Sequence, residues 1–403
     1  SSITSTSCGG AVCTLAIDDT ELAFLPGTFS GITLGSTTGT GAMAINTAYT
    51  FTDPLTIRSN TGTIAATSSI NTGTNSLTVS TGGTLNVVGI SSGTLVITGN
   101  GITLNADVTT AGTQTYTGAV TLANSITIAS TGASSAGNNI SFSSSINGTT
   151  ANTQSLTINS GTGGTITVSG QIGTSTSLLT LTIANSNGTT FTGAVTTGTS
   201  VVIDNTSSGA TILFSGALVT PTFTTGAQGY NLQLLGTSGS ITNNVVFTNT
   251  GSLRLGSSGG TQTYSAGLTA TAPSSVTLAG TIILGASATF GDSNTAISLG
   301  AATTINSSAA NAAINFDGAI TGSSNNFNVL AGSSTISFGR AVSGLGNTTL
   351  TADEVNWAAS FAGSGTLTIL PSTTGRSIYL ATINDSTTSV LNITATEISN
   401  LAD

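Results

Sequence analysis

Acid–base chemistry in this chain would have to come from thirteen Asp or Glu and four Arg, because it holds no Lys and no His. Glycan hydrolysis or elimination needs paired carboxylates, or a base beside a cation, projecting from neighbouring strands. Asp292, Asp317 and Arg340 follow one another at steps of 25 and 23 residues. A chain repeating at that period would stack them into an Asp–Asp–Arg column, although Asp317 and Arg340 keep different registers against their aromatic neighbours. A metal site needs clustered Cys, His, Asp or Glu. Cys8 and Cys13 lie close together without further ligands, and Asp18, Asp19 and Glu21 are the compact set that could hold calcium. Three acidic segments share another pattern, Asp18-x-x-Glu21, Thr351-x-x-Glu354 and Thr394-x-x-Glu397. In a capping box the first side chain accepts an N–H of the opening helical turn while Glu reaches back. That role accounts for the three Glu without catalysis. The expectation is no enzyme, no metal and no cofactor, with a polysaccharide-acting β-helix enzyme as the alternative.

The elements that would position such groups follow from composition. The chain has 403 residues, 52 of them Gly, with 37% hydrophobic and 4% charged residues. Ordinary domains carry about 25% charged residues, and disordered ones pair low hydrophobicity with high charge. Neither description fits. Thr and Ser outnumber helix formers, which points to an all-β structure solvated by hydroxyls. A net charge of −9 with four scattered Arg excludes a phosphate-tracking stripe, hence nucleic acid. No apolar run reaches the ~20 residues of a membrane helix. No basic–apolar–small leader follows Ser1, so a mature form or an excised piece is expected. Cys8 and Cys13 can close a small disulfide loop near the start, or join subunits.

An aromatic-x-Gly-x-aliphatic pattern recurs at Tyr116, Phe191, Phe214 and Phe316, with looser copies at Phe142, Tyr264, Phe290, Phe338 and Phe361. Most steps are 22 to 26 residues; two are double, and Val168-Ser-Gly170-Gln-Ile172 fills the first of these. The stretch between Phe214 and Tyr264 shows no clean filler. Such a period without helical patterning predicts a parallel β-solenoid of roughly 16–17 turns, about three short strands per turn. Strands such as Ser155-Leu-Thr-Ile-Asn alternate apolar and hydroxyl residues, placing the apolar set inside. Gly pairs mark the corners. The nine aromatics are expected to stack as one interior ladder. Thr-x-Thr pairs at Thr113–Thr117, Thr165–Thr167, Thr180–Thr182, Thr261–Thr263 and Thr366–Thr368 raise an ice- or surface-binding alternative, but their positions within the turn vary.

A longer repeat joins the two ends. Leu15-Ala-Ile17-Asp-Asp-Thr-Glu21-Leu22-Ala-Phe-Leu25 matches Leu391-Asn-Ile393-Thr-Ala-Thr-Glu397-Ile398-Ser-Asn-Leu401 at a constant offset of 376. Three segments follow: 1–30, an N-terminal turn with the Cys pair and one capping box; 31–349, the solenoid repeats; and 350–403, a junction that repeats the N-terminal motif. Short helical turns are expected near both ends.

The runs Leu350-Thr-Ala-Asp-Glu-Val-Asn-Trp357, Gly365-Thr-Leu-Thr-Ile-Leu-Pro371, Gly375-Arg-Ser-Ile-Tyr-Leu380 and Leu391–Ile398 resemble the very large bacterial surface proteins built on filamentous-haemagglutinin-like β-strand repeats. The resemblance implies a right-handed parallel β-helix exported to the bacterial cell surface as part of a longer polypeptide. The expected function is a structural or adhesive module of an extracellular fibre. Its partners would be further copies of itself, stacked head to tail or in tandem, and a host-cell, neighbouring-cell or polysaccharide surface.

Overall fold

The computed structural model describes residues 2–3, 16–17, 21–22, 24–25, 27–382 and 389–401. Cys8, Cys13 and Asp18 lie outside the described residues, so the disulfide and the first capping box have no structural account. The chain is an all-β parallel solenoid of about 16 turns with about 2% helix, as its repeat period predicts. It divides into two compact units, Ser1–Ser207 and Ser208–Asp403. No described helix is long and apolar enough to cross a membrane.

In the first unit each turn supplies three short strands. Their inward residues stack in register into three apolar columns. One runs Leu34, Ile57, Val79, Ile97, Tyr116, Phe142, Val168, Phe191. A second runs from Met43 and Ile64 to Ile172 and Val195, and a third from Ile70 and Ile90 to Ile183 and Ile203. Nearly every member is fully buried. Burial of each such side chain contributes about 1.5–3 kcal/mol, and the sum accrues turn by turn because each turn touches only its neighbours. Chain length per turn is not constant. Val79 and Ile97 are register partners 18 residues apart, Tyr116 and Phe142 are 26 apart, and the surplus is spent at corners.

One corner has its own chemistry. Two residues beyond the third column, or three after the bulge that follows Ile158, Thr72, Ser92, Thr110, Ser130, Ser160, Ser186 and Thr206 are all buried. Most turn their hydroxyls onto carbonyls of the following bend: Thr72 Oγ1 on Asn75, Thr110 Oγ1 on Gly112, Ser160 Oγ on Gly164. The Asn75 and Gly164 carbonyls also accept an N–H of the next turn, from Gly93 and Asn187, so the hydroxyl adds a second bond at the bend and satisfies its own buried oxygen, which would cost ~1–3 kcal/mol if left unpaired. Ser130 does this across a longer excursion. It donates to the Asn138 carbonyl and accepts the Asn138 N–H at 3.0 Å, while 132–136 stand exposed outside.

The motif glycine has a different cause from corner geometry. A Cβ on Gly118, Gly170, Gly193 or Gly318 would lie 1.9, 2.2, 2.5 or 2.4 Å from backbone of the preceding turn. Gly118 alone among them has positive φ, at 125°. Close rung-to-rung approach therefore selects Gly in the motif.

The second unit repeats the three-column plan, with columns through Ile212–Leu232–Leu253–Val276, Ile282–Ile305–Val329–Leu350, and Ala288–Ile314–Ile336–Val355. All nine predicted aromatics are buried, but they do not form one ladder. Tyr116 and Phe142 stack at 4.6 Å, and Phe290, Phe316 and Phe338 at 5.3 and 5.2 Å. Phe214 is followed in its column by leucines, Leu234, Leu255 and Leu278. Tyr264 stacks between Ile241 and Leu284 on a different strand, and Phe361 sits on Val342. The aromatic motif changes side of the solenoid between Phe214 and Tyr264, which is why no filler at the usual spacing links them.

Candidate functional site

The outward strand positions carry few charged groups. In the first unit Thr33, Thr56, Thr78, Val96, Thr115, Ser141, Thr167 and Thr190 form one outward column. Thr115 and Thr167 of the predicted Thr-x-Thr pairs therefore share a face, whereas Thr182 lies on another, between Thr157 and Val202. Among the described residues Asp292, Asp317 and Arg340 form no salt bridge with one another. The Asp292 carboxylate accepts the Asn294 N–H and the Thr295 hydroxyl, both at 2.8 Å; these bonds close its own turn and hold its carboxyl below the ordinary range. Among the described residues no group of three or more Cys, Asp or Glu gathers to hold a metal ion.

Ionisable groups do converge at the end of the second unit. The Thr394–Glu397 pair forms a full capping box on the helix Ala395–Ser399. Thr394 Oγ1 accepts the Glu397 N–H at 3.2 Å, and Glu397 Oε2 accepts the Thr394 N–H at 2.8 Å. Glu397 is 6% exposed. Its other carboxylate oxygen accepts the Trp357 N–H at 3.4 Å, and its carbonyl accepts the Trp357 indole N–H at 2.8 Å. The helical turn thus closes the end of the column that contains Trp357. Beside it the Asn400 carbonyl accepts the Phe361 N–H, and Leu401 bridges Phe361.

The Thr351–Glu354 pair caps nothing. Both residues lie within the strand Thr348–Trp357, where Thr351 is in register with Leu330 and Glu354 with Thr335. Ladder pairing and the burial of Leu350 and Val355 outweigh a local cap worth about 1 kcal/mol. At the N-terminal copy of the motif, Glu21 and Leu22 are helical; Glu21 is exposed and Leu22 fully buried.

Two groups here escape a reading of spacing. Asp353, 4% exposed, accepts the Ser372 N–H at 3.1 Å, the Thr373 N–H at 2.8 Å and the Thr373 hydroxyl, and pairs with Arg376 at 3.4 Å. Arg376 also donates to the Val390 carbonyl at 3.0 Å. Burial pushes the Asp353 carboxyl up, but its hydrogen bonds and the Arg376 charge together hold it below the ordinary range. Glu354 is pushed up, by burial first and then by the Glu397 charge.

These opposed shifts set a pH dependence. Glu354 binds its proton more tightly folded than unfolded, so the fold gains stability as pH falls through its raised value. Asp353 binds its proton more loosely folded. Its contribution is present above about pH 4 and is lost as pH falls through its lowered value. The denaturation midpoint followed by Trp357, the one Trp, is expected to peak on the acid side of neutrality and then fall. A flat profile down to about pH 3 would contradict it.

The second group is the pair of identical tetrapeptides Thr113-Gln-Thr-Tyr116 and Thr261-Gln-Thr-Tyr264. In each, Gln and Tyr point inward, and the phenol donates to the amide oxygen two residues back, at 2.7 and 3.0 Å. Burial pushes both phenols far up. The exact repetition of Gln-x-Tyr was the available signal. No family model, no curated protein and no solved structure matches the chain.

Proposed function

We propose that the chain is a structural, adhesive module of an extracellular bacterial fibre, exported to the cell surface and assembled end to end with further copies. The observation that carries this reading is how the columns finish. At the end of the second unit, the Leu367–Leu370 strand pairs with Thr348–Thr351, and among the described residues no strand lies on its other edge. Ile369, which continues the Leu350 column, is half-exposed, and a cavity of about 190 Å³ opens between Leu345, Phe361, Leu367 and Leu401. At the start of the first unit, Ile32 and Leu34 are half-exposed in the same way. Unpaired strand edges above an exposed apolar column are templates for further strands.

The hydroxyl-covered, sparsely charged exterior supports a load-bearing role better than a catalytic one. In use, such a fibre would contact host cells, neighbouring cells or polysaccharide. Electron microscopy of the purified chain over a concentration range tests the reading. Fibres of increasing length are expected, and particles the size of one chain at every concentration would refute it.

A further inference from the structure

The two ends carry the same small assembly, and among the described residues only one of them has its second edge filled. At the N-terminal end, Ser2–Ile3 pairs in parallel with Ala16–Ile17, and helical Glu21 and Leu22 follow. At the C-terminal end, Ser377–Thr382 pairs in parallel with Val390–Thr394, and the helix Ala395–Ser399 follows. Ile17 and Ile393 are equivalent by the offset of 376. Ile3 is the register partner of Ile17, and Leu380 that of Ile393, so Leu380 stands where Ile3 stands.

The second edges differ. Ser2–Ile3 also pairs with the first turn, Ser2 on Ala44 and Ile3 on Ile45, and the Leu22 carbonyl accepts the Tyr49 hydroxyl at 2.7 Å. No described strand lies on the corresponding edge of Ser377–Thr382. The cost is visible in exposure. Leu22 is fully buried, whereas its counterpart Ile398 is 39% exposed, and Ile378 and Leu380 are 45% and 66% exposed.

We propose that the free edge of Ser377–Thr382 receives the Met43–Ile45 strand of a second copy, Tyr379 on Ala44 and Leu380 on Ile45. This deepens, and rests on, the fibre reading. The N-terminal end shows the geometry already made within one chain, and neither strand carries a charge to desolvate. The incoming copy exchanges its own Ser2–Ile3 contact for an equivalent one, as in domain swapping. The gain is the apolar surface of Ile378, Leu380 and Ile398 removed from water. A parallel pair has a direction, so the junction joins tail to head and never tail to tail.

Two single-cysteine chains test it, Ala44→Cys and Tyr379→Cys, each with Cys8→Ser and Cys13→Ser. Register partners on adjacent strands lie about 4.8 Å apart, within the ~4.4–6.8 Å span of a disulfide. Mixed and oxidised, they are expected to give a disulfide-linked dimer, whereas Ala44→Cys mixed with Val246→Cys, an exposed site elsewhere, gives none. Leu380→Asp should raise the concentration needed for fibres roughly tenfold or more. Fibres that form without the cross-link, or that ignore Leu380→Asp, would overturn this junction and leave the fibre reading standing. Wild-type chains that never form fibres would overturn both.

Discussion

Phe316→Ala should lower the stability of the second unit by about 3–5 kcal/mol. Phe316 is fully buried, stacked between Phe290 and Phe338 at 5.3 and 5.2 Å and met edge-on by Phe327 at 5.5 Å. Truncation loses the transfer energy of the ring, leaves a cavity, and removes two stacking contacts each worth ~0.5–1.5 kcal/mol. The neighbouring rungs are fixed by backbone pairing above and below, so the site cannot collapse around the gap. Trp357 occupies the same column one turn beyond Phe338, which makes its emission a direct reporter during denaturant unfolding. Phe29→Ala is the control: Phe29 is 51% exposed, and its loss should shift nothing beyond ~0.5 kcal/mol. A Phe316→Ala effect below about 1 kcal/mol would mean that the column does not carry load as a stacked unit.

Asp353→Ala should free the segment that follows Leu370. The carboxylate holds two backbone N–H groups, one hydroxyl and the Arg376 guanidinium. Its removal leaves two amides without their acceptor and takes the anion from a nearly buried Arg376, at a cost of about 3 kcal/mol. The loss falls on a local opening of 371–376 and leaves global unfolding largely unchanged. Trypsin cleavage after Arg376 should accelerate roughly hundredfold. Cleavage after Arg340, which is exposed in the intact fold, supplies an internal reference. Equal rates in the two proteins would show that the ion pair is not what closes this segment.

The solenoid was legible in the sequence because its period and its alternation are properties of single strands. Leu-Thr-Ile and Ile-Thr-Val state which side faces in, and the spacing of Tyr116, Phe142, Val168 and Phe191 states how much chain a turn takes. The single aromatic ladder failed for a related reason. Spacing says how far along the chain the next turn begins, but not on which of three strands a motif lies, so Phe214 and Tyr264 look equivalent until pairing separates them. The Thr351–Glu354 box failed because capping is a local preference, and a neighbouring strand supplies more pairing than a cap. The Asp353–Arg376 contact was hidden because it joins residues 23 apart through a turn rather than a rung. The mirrored ends were visible as the 376-residue offset. What the letters could not say was that, among the described residues, one copy has its second edge occupied and the other does not.

The Ser130 closure has a practical corollary. Its hydroxyl and the Asn138 backbone tie the base of the 132–136 excursion, and the Gly132 N–H and the Ser135 and Ala136 carbonyls pair with neighbouring turns, so only the tip at Ala133 and Ser134 hangs beyond the rungs. Foreign peptides could be grafted between Ala133 and Ser134 and carried outward at that height.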